Sequence, residues 1–293
     1  MKASVSLRAP AKLNLTLEVL GRRDDGLHGI RSVIVPIDLF DEVTIGPDGD
    51  GLVFTCSDSA LQSDNLVERA LRALPLSSHA LRIQLEKRIP PESGMGGGSS
   101  DAASVLLAAQ RGELPLAGSV DYLALARSLG SDVPFFLVQT AALVEGAGER
   151  VTALGAPPHW YAVVVKPSAS VSTAEAYRMI DRIERPTRSR GISVSLQMAE
   201  ALQRHEFDKV VSLLHNDFFD ALMKVTPEIA AAAAALRSAG ASHAMLTGSG
   251  SVVYALARSE SERNSIAAAL PRGKDYGIYS CAFWCSNVWR ESP

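Results

Sequence analysis

Apolar and polar residues alternate along "SVSLRAPAKLNLTLEVL" (Ser4–Leu20), on both sides of Ala9-Pro10-Ala11. A period of two sends successive side chains to opposite faces, so this segment predicts two strands around a kink. "GRRDDGLHG" carries turn residues, and "IRSVIVPIDLFDEVTI" returns to strand composition, which predicts a β-rich, antiparallel N-terminal region. The period then changes. "SDNLVERALRAL" places Leu66, Ala70, Leu71 and Leu74 on one helical face behind Ser63 and Asp64 as candidate N-caps. "LRIQLEKRI" alternates again as a strand and runs straight into a glycine cluster, after which "SDAASVLLAAQ" reads as a helix of small and apolar residues. "VDYLALARSLG" predicts a helix ending at Gly130, and "DVPFFLVQTAALVEGAGERVTAL" predicts strands joined by a glycine turn.

"APPH" reads as a linker between two regions. Beyond it, "WYAVVVKP" predicts a strand, "STAEAYRMIDRI" a helix opened by Ser172 or Thr173, and Ser195 to Leu214 a largely helical stretch. "PEIAAAAAALRSAG" predicts a helix between Pro227 and Gly240, and "HAMLTGSGSVVYALA" a strand, a glycine turn and a strand. "SERNSIAAAL" closes the series as a helix and "YGIYSCAFW" as a last strand. Helices and strands segregate instead of alternating throughout, which predicts an α+β fold in two domains, 1–156 and 157–293.

Composition changes this picture only by exclusion. The 293 residues carry a formal charge of −3, so no global positive field is present to hold a nucleic-acid backbone. The N-terminal "MKASVSLRAP" lacks the apolar core of a secretory signal, and no apolar run reaches the roughly 18 residues that span a bilayer. The expectation is a cytoplasmic protein with neither membrane nor nucleic acid as partner. Cys56 lies far in sequence from Cys281 and Cys285, which argues against a disulfide framework, and the latter pair lacks the second pair that a zinc site needs.

Candidate chemistry concentrates in "RIPPESGMGGGSSDAASVLLAAQ" (Arg88–Gln110). Strand, glycines and a helix opening on serines form a geometry that aims free backbone N–H groups and a positive helix end at an anion. The absence of Cβ atoms lets phosphate approach the backbone and permits positive-φ turns. Two common phosphate loops do not fit. The run ends Gly98-Ser99-Ser100-Asp101 with no lysine, and Ser99 stands where a dinucleotide fingerprint needs its third glycine.

The loop "PPESGMGGGSSDAA" resembles the phosphate-binding motif of the GHMP small-molecule kinases. "APAKLNLTLEVLGRRDDGLHGIRSV" and "MLTGSGSVVYAL" resemble that family's other motifs in the expected order, so the likeness covers nearly the whole chain. "PAKLNL" with "GRRDDGLHGI", "LGSDVPFFL" and "DNLVERA" is similar to the branch that phosphorylates a cytidine-diphosphate-linked methylerythritol. The resemblance implies a ribosomal-protein-S5-domain-2-like N-terminal domain containing a left-handed βαβ element, a ferredoxin-like C-terminal domain, and an active site in the cleft between them.

It also implies site residues. Asp132 in "GSDVPFF" and Lys12 in "PAKLN" match the positions flanking the acceptor hydroxyl, with Asp132 as base and Lys12 keeping it ionised. Asn65, Gly94, Met95, Gly96, Gly97, Gly98, Ser99 and Ser100 would bind ATP, and Ser100 would hold Mg²⁺, which charge balance on the triphosphate requires. On the acceptor side stand Asn14, His28, Tyr177, Gly248 and Ser249. The histidine recognises cytosine in the family, and Tyr177 matches the stacking aromatic. Leu27 departs from the tyrosine that many relatives carry before that histidine. The assembly expected is a monomer or a homodimer. The rival readings are a homoserine- or mevalonate-type kinase without a nucleotide in its acceptor, and a non-enzymatic nucleotide- or RNA-binding module.

Overall fold

The computed structural model describes residues 4–49, 51–63, 65–77, 80–182, 193–273 and 276–285. Its first sheet is organised by β3. β1 (Val5–Asn14) and β2 (Thr16–Arg22) lead by a turn into β3 (His28–Pro47), which is 20 residues long and serves two sets of neighbours. Its first part pairs antiparallel with β2, its later part with β1. β4 (Leu52–Cys56) and α1 (Leu66–Ala73) follow, then β5 (Leu81–Glu86), which lies parallel to β4 and antiparallel to the end of β3. β5 alternates buried and exposed along its whole length, as its sequence period requires.

The glycine run then opens α2 (Gly97–Gln110), followed by α3 (Tyr122–Leu129) and α4 (Val133–Val138). β6 (Ala141–Gly146) returns to the start of β3, and β7 (Arg150–Gly155) pairs with β6.

The second sheet is β10-β11-β8-β12, antiparallel throughout. It is built from β8 (Tyr161–Pro167), β10 (Met245–Leu246), β11 (Val253–Ala257) and β12 (Tyr276–Ala282). Between β8 and β10 run α5 (Thr173–Asp181), α6 (Val194–Gln203), α7 (Phe207–Ser212), the two-residue β9 (His215–Asn216), α8 (Phe219–Val225) and α9 (Pro227–Ser238). α10 (Glu260–Ala269) joins β11 to β12. This strand order with its two crossovers is the ferredoxin-like arrangement.

Side-chain alternation sorts the apolar residues into three clusters. Leu7, Ile34, Val43, Ile45, Ile83 and Leu85 face α1–α4. Val163, Val165, Val253 and Ala255 face α5, α8, α9 and α10. Between the sheets, Leu13, Leu15, Val33 and Val35 meet Val164, Tyr254 and Leu256, with Met198, Leu202 and Phe207 of α6 and α7 filling the gap. The two sheets therefore share one core.

Three sequence expectations change. The predicted kink at Ala9-Pro10-Ala11 is a bulge inside β1, where Pro10 needs no ladder donor, and the real break falls at Leu15. "DVPFFLV" is helix α4, not strand, because Pro134 sits in a first turn while Val133, Phe135 and Phe136 bury against the first sheet's helical layer. The helix cap before Leu66 is Asn65, whose Oδ1 accepts from Val67 N at 2.9 Å, and Asp64 lies outside the described residues. So does His79. Cys56, Cys281 and Cys285 are free thiols, and no helix among the described residues is long and apolar enough to cross a membrane.

Candidate active site

A cavity of about 500 Å³ opens where the start of α2, the end of β1, the α3–α4 turn, α5 and the Gly248 turn converge. Gly96 caps α2 in the left-handed region, φ 74°, with no side chain in the capping position. The first-turn amides of Gly97, Gly98 and Ser99 lack intrahelical partners by construction, and all three residues line the cavity. A 14-residue helix thus points an uncapped, positive end at this space.

The glycines make room for protein as much as for ligand. A Cβ on Gly94 would lie 2.4 Å from Thr247 O, and one on Gly248 would lie 2.8 Å from Gly94 O, so the phosphate loop and the third motif interlock through bare backbone. Gly96 is closed by Phe136 at 2.9 Å, whereas Gly98 meets nothing nearer than Leu66 Cδ1 at 3.6 Å. Met95 is buried in the shared core, and its carbonyl accepts from Lys12 N at 3.0 Å, fastening the loop to β1. It supports the loop and does not line the cavity.

Lys12 and Asp132, 120 positions apart by residue number, face each other across the cavity floor, Nζ to Oδ2 3.7 Å. Asp132 occupies the N-cap position of α4 without capping it, which leaves its carboxylate turned toward the lysine. Lys12 is 2% exposed, and burial pushes its ammonium pKa down against the opposing pull of Asp132. Its Nζ also donates to Asn14 Oδ1 at 2.5 Å. That oxygen additionally accepts from Thr247 Oγ1 (3.2 Å) and Gly248 N (2.8 Å), while Asn14 Nδ2 donates to Ser32 Oγ (2.8 Å). Asn14 therefore ties β1 to the third motif, and only its second amide hydrogen is left over from these bonds. Tyr254, fully buried, donates to Asn14 O at 2.8 Å and braces the same strand from the second sheet.

Asn65 lines the cavity, but its oxygen caps α1 and its Nδ2 donates to Leu61 O at 3.1 Å. Ser99 faces the cavity; Ser100 does not. The Ser100 hydroxyl is buried without a hydrogen-bond partner and Ser100 lines a second cavity, so Ser99 is the serine that faces this one. Among the described residues no cluster of three His, Cys, Asp or Glu could grip a metal.

His28 of β3 and Tyr177 of α5 stack with centroids 4.5 Å apart at 24°, and of the two only Tyr177 lines the cavity. Tyr177 also approaches Phe218 edge-on at 5.0 Å. Leu27 is exposed beside them. Ser249 lines the cavity and shares a 3.0 Å hydrogen bond with Thr173.

Several participants carried no usable sequence signal. Asn216, in "HNDFF", donates to Leu246 O (3.0 Å) and Gly248 O (2.9 Å) and so shapes the third glycine turn. Lys87 is buried between Asp41 and Asp101, reaching Asp101 at 2.7 Å, and Lys87 and Asp101 both line the cavity beneath the loop. Burial, with the charge of Asp41 beside it, holds the Asp101 carboxyl well above the usual carboxylate range. The mark available in advance was only a lysine before the glycines and an aspartate after them.

The GHMP kinases N terminal domain model matches residues 65–140, and the GHMP kinases C terminal model matches 198–275. The 4-diphosphocytidyl-2-C-methyl-D-erythritol kinase of Deinococcus radiodurans is 38% identical over 269 residues, 89% of this chain and 87% of its own length. The chain belongs to the GHMP kinases, among the 4-diphosphocytidyl-2-C-methyl-D-erythritol kinases. The enzyme of that name from Pseudothermotoga lettingae is also 38% identical, covering 85% of this chain and 90% of itself. A crystal structure of 4-(cytidine 5'-diphospho)-2C-methyl-D-erythritol kinase superposes with TM-score 0.76 at 34% identity, covering 95% of this chain and 99% of that one. A homoserine kinase from Cytophaga hutchinsonii reaches TM-score 0.70 at 20% identity, a likeness of fold alone. In this GHMP kinase the cavity is the meeting place of all three family motifs.

Proposed function

We infer that the protein transfers the γ-phosphoryl group of ATP to the 2-hydroxyl of 4-diphosphocytidyl-2-C-methyl-D-erythritol, giving the 2-phosphate and ADP, in the non-mevalonate isoprenoid pathway. The observation that carries the reading is the Lys12–Asp132 pair on the floor of a cavity walled by the uncapped start of α2. Phosphoryl transfer is chiefly positioning and charge stabilisation, and those are the parts this cavity offers.

In this reading the triphosphate lies against the amides of Gly97, Gly98 and Ser99, and the acceptor hydroxyl enters between Lys12 and Asp132. The hydroxyl oxygen attacks the γ-phosphorus, the bond to the β-phosphate oxygen breaks, and Asp132 takes the proton as transfer proceeds. Lys12, buried beside Asp132, offsets in its ammonium form the negative charge gathering on the transferred group. When bound with the triphosphate, Mg²⁺ would lower its charge, and Ser99, which lines the cavity, would be the side chain available to it. His28 and Tyr177 hold the cytidine end, and Asn14, Gly248 and Ser249 form the floor and side between the two substrates. The chain is read as a cytoplasmic monomer or homodimer, divided into domains near residues 156 and 157, with no nucleic-acid or membrane partner.

The test is ADP formation by the purified protein with Mg-ATP, comparing the cytidylated acceptor with homoserine, mevalonate and no acceptor, for the wild type and Asp132→Ala. Turnover confined to the cytidylated acceptor and lost by at least about 100-fold in the variant is the expected result. Turnover with another acceptor keeps the kinase and overturns the substrate, and no turnover with any acceptor brings forward the binding-module reading.

A further inference from the structure

The turn between β6 and β7, residues 147–149, reaches the cavity at Ala147 and presses on the turn that carries Asp132. A Cβ on Gly148 would lie 2.4 Å from Ser131 O, so only bare backbone, here at φ +110°, lets the two turns meet. Ser131 immediately precedes Asp132 and lines the cavity with it. The Asp132 carboxylate caps no helix, so its place is set by the backbone beneath it and by Lys12 at 3.7 Å.

Glu149 fastens the 147–149 turn. Its Oε2 accepts from Ala147 N, and its carbonyl accepts from Arg127 of α3 at 3.3 Å. Its Oε1 accepts from Arg23 Nη1 at 2.9 Å, across 126 positions of chain, from the turn between β2 and β3. The other arm of that guanidinium grips Asp25, Nε at 3.1 Å and Nη2 at 2.9 Å, and Asp25 accepts from Leu27 N at 3.0 Å. One planar fork thus ties the turn that leads to His28 to the turn that abuts Asp132.

We propose that Arg23 and Glu149 are positioning residues for phosphoryl transfer: their ion pair holds the 147–149 turn against Ser131 and so keeps Asp132 at its distance from Lys12. The inference rests on the role given to Asp132 in the proposed function. Both partners are about one-third exposed, and such a pair adds little to folding stability, so its effect falls on geometry. A reacting group misplaced by about an ångström can cost about 100-fold in rate, and a looser turn therefore slows transfer without unfolding the chain. In sequence, "EGAGE" reads only as a turn joining two strands.

The full chain tests this as Arg23→Ala, Glu149→Gln and the double variant, with Mg-ATP and the acceptor that the wild type turns over. The glutamine amide oxygen can still accept from Ala147 N, so that variant removes the ion pair and leaves the turn its own bond. Rapid-quench single turnover reads the transfer step itself. Each single variant should slow it about tenfold, with KM for both substrates within about twofold of wild type and Tm shifted little. The double variant should be no slower than the slower single one, because both residues act through one contact. Losses that multiply in the double variant show two independent effects and overturn the proposal. An unchanged rate with a raised acceptor KM also overturns it, since Arg23 then serves acceptor binding alone. A wild type inactive with every acceptor defeats the proposed function and this inference with it, whereas an active wild type whose transfer rate the variants leave unchanged defeats the inference alone.

Discussion

Lys12 and Asp132 were legible as residue types inside motifs, but the physical reason they form a pair lies in the strands and turns that hold them. Burial disfavours the ammonium of Lys12, the oxygens of Asn14 and Asp132 lie beside it, and Thr247, more than 230 residues along the chain from Asn14, bonds to the same Asn14 oxygen. No spacing in the sequence announces such a contact. Asn14, which the resemblance places on the acceptor side, has most of its carboxamide engaged by the Gly248 turn, where each bond contributes about 1 kcal/mol. Histidines divide in the same way. His243 is partly buried and bonded at both ring nitrogens: Nε2 accepts from Leu256 N at 2.8 Å, and Nδ1 shares a 3.0 Å bond with Ser242 Oγ. Burial, reinforced by the charge of Arg237, lowers its pKa from 6.5 to about 4. A depressed folded-state pKa means that the unfolded chain binds the proton first. The stability His243 gives is therefore complete above pH 6.5 and is lost as pH falls through that value toward 4, by about 3 kcal/mol in all. Urea denaturation between pH 7 and 4 should show this extra loss in the wild type and not in His243→Gln. Parallel curves for the two proteins would remove the buried-imidazole account.

At the scale of elements, periodicity located most helices and strands, and failed where tertiary contact outvotes local pattern. β9 is two residues long and exists because β2 accepts it as a parallel neighbour, a pairing that no propensity scale records. α4 is rich in residues that favour strands, yet a proline in its first turn and the packing of Phe135 and Phe136 make it a helix. The glycine loop was the most legible element, although its glycines serve different ends. Gly94 has φ +74° and a Cβ direction blocked by backbone at 2.4 Å, so Gly94→Ala should cost several kcal/mol and lower Tm markedly. Gly98 has ordinary helical backbone and open space on the cavity wall beside Leu66. Gly98→Ala should keep Tm or raise it, since alanine favours a helix over glycine by up to about 1 kcal/mol, while its methyl intrudes on the triphosphate and raises KM for ATP severalfold. Paired melting curves and ATP titrations of the two variants separate a glycine needed by the chain from one needed by the ligand; loss of Tm in both would place the whole loop in the first class.

For the whole molecule, the sequence suggested two domains meeting at a cleft, with nothing to say how firmly they are joined. The shared core answers that in physical terms. Leu13, Leu15, Val33 and Val35 of the first sheet pack on Val164, Tyr254 and Leu256 of the second, and α6 and α7 lie between them. β9, from the C-terminal half, pairs with β2 of the N-terminal half. Each large apolar side chain released to water forfeits about 1.5–3 kcal/mol, so exposing even four or five of them matches the 5–15 kcal/mol that stabilises a typical domain. Chains cut at the 156/157 boundary should therefore be insoluble or unfolded apart and regain structure only when combined. The intact protein should melt in one calorimetric transition with equal van't Hoff and calorimetric enthalpies, although two domains of this size joined by a polar hinge would give two. The same rigidity bears on catalysis: a cavity whose walls share a hydrophobic core is shaped before substrate arrives, so binding has side chains such as His28 and Tyr177 to rearrange, and little else. Two resolved transitions, or a folded isolated half, would instead mean that the cleft is free to open and close.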